Sequence, residues 1–130
     1  MFMRQLKSQV VCDYNDPVAE TKQGKVRGLK IDSTYIFRGI KYADAKRFHF
    51  PEEVKPWEGV KEAITYGYVS PELQTNVAHD AYYVPHYYYP QDEDCQYLNI
   101  WTQSLDKNAK KPVMLWMHGG GWSTGSSIEI

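Results

Sequence analysis

At 130 residues with 42% hydrophobic content, the chain is the size of one ordinary domain and carries enough apolar mass for a core. Its formal net charge of -1, with no basic block longer than the Lys110 and Lys111 pair, gives no long-range pull toward nucleic acid. No apolar run has the length of a bilayer span, and the opening MFMRQLKSQVV has neither a long apolar core nor a small-residue cleavage site, so no membrane partner is expected and the default location is the cytoplasm.

In chain order, residues 19–26 and 29–31 flank a turn at Gly28, and residues 35–37 follow a turn at Asp32 and Ser33, a pattern of short antiparallel strands. Residues 50–68 contain Pro51, Pro56, Gly59 and Gly67, so a helix there, such as 60–65, must be short. Trp57 and Trp101 read as core residues. Residues 70–96 hold no sustained period of 2 or 3.6, only prolines, aspartates and aromatics, and a loop of that length in a compact chain is usually functional or mobile. The pattern then sharpens. Residues 97–102 (YLNIWT) read as a strand, SLDKNAKKP as a polar turn, and residues 113–117 (VMLWM) as a second strand. Apolar residues at every position of that second strand predict burial on both faces, as in a central parallel strand. Ser126 and Glu129 have capping-box spacing, which predicts a helix start.

Several site chemistries can be weighed from residue types alone. Cys12 and Cys95 are far apart and sit in no Cys-x-x-Cys or Cys/His cluster, so they read as free thiols. His49, His79, His86 and His118 show no H-E-x-x-H or comparable spacing, so neither a metal site nor a cofactor is expected, and His79, Asp80 and His86 read as polar loop groups. Six of the eleven tyrosines fall between Tyr82 and Tyr97. The run YYVPHYYYP, residues 82–90, offers ring faces with hydroxyl handles, as carbohydrate-binding and protein-binding surfaces do, or pins its own loop to the sheet.

Gly119, Gly120 and Gly121 directly follow the second apolar run and His118. Without Cβ atoms they let backbone N–H groups turn toward an occupant, and such donors can stabilise the oxyanion formed when a nucleophile adds to a carbonyl. A tight turn that merely needs glycine is the competing reading. A phosphate cradle is a third, although the Lys-[Ser/Thr] ending of a P-loop is absent.

The surroundings of the glycines carry a resemblance. GKVRG, FRGIKYADAKRF, PWEGV, EDCQYLNIW and KKPVMLWMHGGGW occur in the order found in type B carboxylesterases, the α/β-hydrolase family that includes the cholinesterases. The resemblance implies an α/β-hydrolase fold, with residues 1–130 as the N-terminal part of one domain: antiparallel edge strands, a long aromatic loop, then the strand leading to the HGGG loop. It implies serine ester hydrolysis of a small carboxylic ester, without metal or cofactor. Gly120 and Gly121 would supply oxyanion-hole N–H groups, with Gly119 and His118 supporting the loop. Trp122, Tyr87 and Tyr88 would rim the pocket, and Arg47 and Glu93 would pair to brace the long loop.

Departures from the family pattern are also visible. Lys41 stands where the family often has proline, and the segment before Arg47 is short. The cysteine that commonly bridges to the Cys95 position is replaced near Ser70, which fits a cytoplasmic, bacterial-type member. The nucleophile elbow, acid and histidine of the family are not among these residues, since Ser123, Ser126 and Ser127 lie on no G-x-S-x-G element. In the family sheet a fourth strand lies between the strands formed here by residues 97–102 and 113–117, and it would come after Ile130. The expectation is a portion of a larger hydrolase that needs its C-terminal remainder for activity and does not fold tightly alone. The alternative expectation is a non-catalytic binding module that uses residues 82–90.

Overall fold

The computed structural model describes residues 10–13, 16–72, 89–122 and 125–128. Among them are seven strands: β1 (Val10–Val11), β2 (Val18–Glu20), β3 (Lys25–Arg27), β4 (Leu29–Ile31), β5 (Thr34–Lys41), β6 (Val60–Glu62) and β7 (Tyr97–Thr102). They form an antiparallel sheet in the order β1-β4-β5-β7 and a smaller sheet in the order β2-β3-β6.

Turn chemistry dictates the first hairpins. Asp32, at φ 51°, closes the β4–β5 turn, where Asp is one of the few residues that tolerate a left-handed backbone. Thr21 Oγ1 accepts from the N–H groups of Gln23 and Gly24 and donates to the Gly24 carbonyl at 2.7 Å, setting the β2–β3 turn. The core lies between the two sheets, where Val26, Phe37 and Ala63 are buried and Ala19, Tyr35, Ile40, Trp57 and Leu105 pack around them. Trp57 is held there by its indole N–H, which donates to the Lys25 carbonyl at 3.0 Å.

Three expectations are corrected. Residues 60–65 do not start a helix: residues 60–62 are β6, pairing in parallel with β3, whose register runs Lys25↔Val60 to Arg27↔Glu62. A ladder offered by a strand more than thirty residues away overrides local propensity. Residues 113–117 carry no strand pairing and are 77–92% exposed, rather than buried on both faces. Among the described residues no strand lies beside them, so their backbone groups have no ladder to join. Trp101 is likewise exposed, at 53%, because no described element covers its face of β7. At the predicted helix start, the Ser126 hydroxyl accepts from the Ile128 N–H at 3.3 Å within a turn, while Glu129 lies outside the described residues.

Candidate active-site loop

A polar residue set inside the apolar strand β7 connects β5 to Ser127, in the segment after the glycine loop. β5 and β7 pair as Phe37↔Ile100 and Ile40↔Leu98, with an irregularity between them that places Arg38 and Gly39 opposite the single residue Asn99. This is a β-bulge, and Gly39 adopts φ 65° within it. A Cβ at Gly39 would lie 2.6 Å from the Thr65 carbonyl oxygen, so glycine is required by space as well as by backbone angle. Asn99 Oδ1 accepts from the Gly39 N–H at 3.0 Å, and Asn99 Nδ2 donates to Ser127 Oγ at 3.3 Å and to the Ser127 carbonyl at 3.4 Å. One amide thus ties the bulge to the segment that follows the glycines.

The loop itself is a succession of left-handed residues. Gly120, Gly121, Trp122 and Gly125 have φ of 117°, 59°, 66° and 91°. A bulky aromatic such as Trp122 seldom adopts positive φ, and backbone in that region is a place where strain and function often coincide. Trp122 is fully exposed. His118 Nδ1 lies 2.8 Å from the Gly119 carbonyl oxygen, which can only accept, so the ring carries its proton on Nδ1. Gly125 folds back on this pair: a Cβ there would sit 2.7 Å from the Gly119 oxygen and 3.0 Å from His118 Nδ1. Among the described residues, a Cβ at Gly119 or Gly121 would meet nothing within 4 Å. What such a loop can do chemically is present backbone N–H groups to a small anionic centre.

The remaining predicted residues fall in two places. Arg47 Nη2 is 2.5 Å from Glu93 Oε1, both side chains are more than half exposed, and the carboxylate beside Arg47 raises the guanidinium pKa above its usual value. Tyr87, Tyr88, His79, Asp80, His86 and Ser123 lie outside the described residues, as does all of the 82–90 run except Tyr89 and Pro90. Among the described residues no group of three or more potential metal ligands is found.

Asn99 was not singled out from the sequence, although a polar residue between Leu98 and Ile100 in an otherwise apolar strand is the signal that finds it. Lys41, in the sequence only a departure from the family pattern, pairs with two carboxylates at once. Its Nζ is 2.7 Å from Asp94 Oδ1 and is also paired with Asp44. The hydrogen bonds it donates to Asp44 and then Asp94 push its pKa well above the ordinary lysine range.

With this geometry in hand, comparison with known proteins settles the class. The carboxylesterase family model matches residues 15–130, and the chain belongs to that family. It is 37% identical over 114 residues to the phenmedipham hydrolase of Pseudarthrobacter oxydans, a match covering 85% of this chain and 23% of that protein. An esterase from the anaerobe Clostridium hathewayi, described as able to hydrolyse aliphatic aromatic polyesters, superposes with a TM-score of 0.83 at 61% identity, over 94% of this chain and 24% of that one. A Geobacillus stearothermophilus carboxylesterase superposes with a TM-score of 0.68 at 34% identity, over 84% and 21% of the respective chains. The two sheets are therefore an N-terminal portion of the α/β-hydrolase fold, and the chain spans less than a third of the length of these relatives.

Proposed function

We propose that this chain is the N-terminal segment of a serine carboxylesterase, in which it supplies the oxyanion-binding loop while sequence beyond residue 130 supplies nucleophile, acid and histidine. The observation that carries this reading is the left-handed run at Gly120, Gly121 and Trp122, followed by a segment that Asn99 of β7 holds at Ser127. In the proposed mechanism a serine attacks the ester carbonyl, the carbonyl oxygen takes the negative charge, and the N–H groups of Gly120 and Gly121 stabilise it. Donors fixed in a backbone loop need little reorientation as charge develops, which is what makes such N–H groups effective in this role. His118, with its proton on Nδ1 and turned onto Gly119, supports the loop rather than acting as base. Trp122, exposed next to the glycines, would serve as a rim for an apolar acyl or alcohol group.

The 61% identity to an esterase described as acting on aliphatic aromatic polyesters supports extending the substrate class to esters that carry an aryl group. The test is hydrolysis of a chromogenic aryl ester by the complete gene product and by its Gly121→Pro variant. Proline removes one N–H and cannot adopt φ 59°, so kcat should fall about a hundredfold or more. Wild-type activity with an unchanged kcat in the variant would place the donors elsewhere, and an inactive wild type would remove the esterase reading.

A further inference from the structure

Residues 69–72 and 89–94 come together as two stems. The Val69 N–H donates to the Pro90 carbonyl at 3.0 Å, the Asp92 N–H donates to the Val69 carbonyl at 3.1 Å, and the Glu72 N–H donates to Gln91 Oε1 at 3.2 Å. Nearer β7 the returning stem meets the end of β5 through the Tyr42 N–H, which donates to the Gln96 carbonyl at 3.0 Å, and between Asp92 and that point it is held by side chains. Asp94 is the centre of this: Oδ1 meets Lys41 Nζ at 2.7 Å, Oδ2 accepts from the Tyr97 hydroxyl at 3.0 Å, and the Asp94 N–H donates to Asp92 Oδ1 at 2.8 Å.

Lys41 is the last residue of β5, so its ammonium is anchored in the sheet. Its second partner, Asp44, is fixed independently by a backbone bridge in which the Asp44 N–H donates to the Glu52 carbonyl at 3.0 Å and the Glu52 N–H donates back at 2.7 Å. One cation therefore joins three pieces of chain: the end of β5, the 44–52 turn and the returning stem. Its side chain is 24% exposed, less than either carboxylate it serves. The neighbouring Arg47 to Glu93 pair has a far more exposed cation and a somewhat more exposed carboxylate. Exposed pairs of that kind contribute little.

The arrangement has a built-in asymmetry. With the ammonium present, Asp44 and Asp94 are both attracted to one point; with it removed, two carboxylates are left facing each other and repel. Cys95 directly follows Asp94, is half-buried, and bears a free thiol. Its accessibility reports whether the stem is seated.

We propose that Lys41 is a positioning residue, an electrostatic latch that seats the returning stem 90–94 on the end of β5, so that the cleft it borders keeps its shape. That cleft has a volume of about 680 Å³ and is bordered by Lys41, Asp44, Arg47, Phe50, Glu93 and Asp94. Whether the seated stem also shapes substrate binding rests on the esterase reading; the latch itself does not.

The test is alkylation of Cys95 by iodoacetamide in the complete protein, followed by peptide mass spectrometry, with exposed Cys12 as internal reference. Lys41→Met keeps the aliphatic stem and removes the charge, and should raise the Cys95 rate about tenfold relative to Cys12. Lys41→Arg should stay within about twofold of wild type, and adding Asp44→Asn to Lys41→Met should recover most of the protection, because the repelling charge is gone. A packing role for Lys41 would give no such recovery. Equal rates in wild type and Lys41→Met would overturn the latch. If that variant fails to fold, the wild type decides: raising salt to 1 M should speed Cys95 labelling, and a flat response would overturn the proposal. In the esterase assay, Lys41→Met should raise KM about threefold with kcat within about twofold. An unchanged KM would sever the link to substrate while leaving the thiol result to judge the latch, and a wild type without activity would count against the esterase reading alone.

Discussion

Residues 35–37 and residues 113–117 are both unbroken runs of apolar and aromatic side chains, and they are opposite in fate. Phe37 is 3% exposed, paired to β7 on one side and roofed by Val26, Ala63 and Trp57, whereas VMLWM is the most apolar run in the chain and lies open at 77–92% exposure. Hydrophobicity therefore does not fix burial by itself. An extended segment goes into an interior only when neighbouring strands take its N–H and C=O groups, because an unpaired peptide group costs more to bury than its side chain gains. β5 has β4 and β7 beside it; residues 113–117 have no described strand beside them.

The comparison can be broken most forcefully at its buried end. Phe37→Ala should destabilise the protein by about 3–5 kcal/mol, seen as a large drop in unfolding midpoint, since a cavity opens between two sheets. Leu115→Ala provides the contrast. In the 130-residue chain it should change stability by less than about 0.5 kcal/mol, whereas in the complete gene product, if the segment is a buried strand there, it should cost about 2–5 kcal/mol. A large effect in the 130-residue chain would show that the segment already packs. Smaller again is Gly39→Ala, which forces a Cβ toward the Thr65 oxygen at a backbone φ of 65°, at a cost of roughly 1–3 kcal/mol by thermal denaturation.

The smallest effect belongs to the charged stem. The Lys41 ammonium, followed by the Tyr97 hydroxyl, holds the Asp94 carboxylate below its usual pKa against the opposing pull of burial. A depressed folded-state pKa contributes stability above the unfolded value of about 3.9 and loses it as pH falls through the folded value. Asp94→Asn should therefore lower the unfolding midpoint by the equivalent of less than about 1 kcal/mol at pH 7, and the gap from wild type should close below about pH 4. A gap independent of pH would assign the effect to packing.

Much of the local structure was legible in advance. Asp32 and Ser33 marked the turn between β4 and β5, and YLNIWT coincided with β7 because its signal, an apolar run bounded by turn residues, is local. Residues 19–26 read as one strand turning at Gly28 into residues 29–31; instead they divide at the Thr21 turn into β2 and β3, and Gly28 is where the chain passes from one sheet to the other. Residues 60–65 misled for the opposite reason: what makes residues 60–62 a strand is the ladder offered by β3, which no window around them contains. Trp101 misled similarly, since an aromatic in a strand is core only if something covers that face of the sheet.

The site divides along the same line. Sequence by itself determined the ingredients of the loop, because HGGGW names its glycines and an aromatic in fixed order, and it determined the family through motifs whose spacing is read directly. Only the tertiary structure decided that Asn99 joins the bulge at Gly39 to Ser127 after this loop, and that Lys41 binds Asp94 across more than fifty residues of chain. Contacts between distant segments depend on which backbones the sheets bring side by side, and that information resides in the pairing of strands rather than in any stretch of residues read alone.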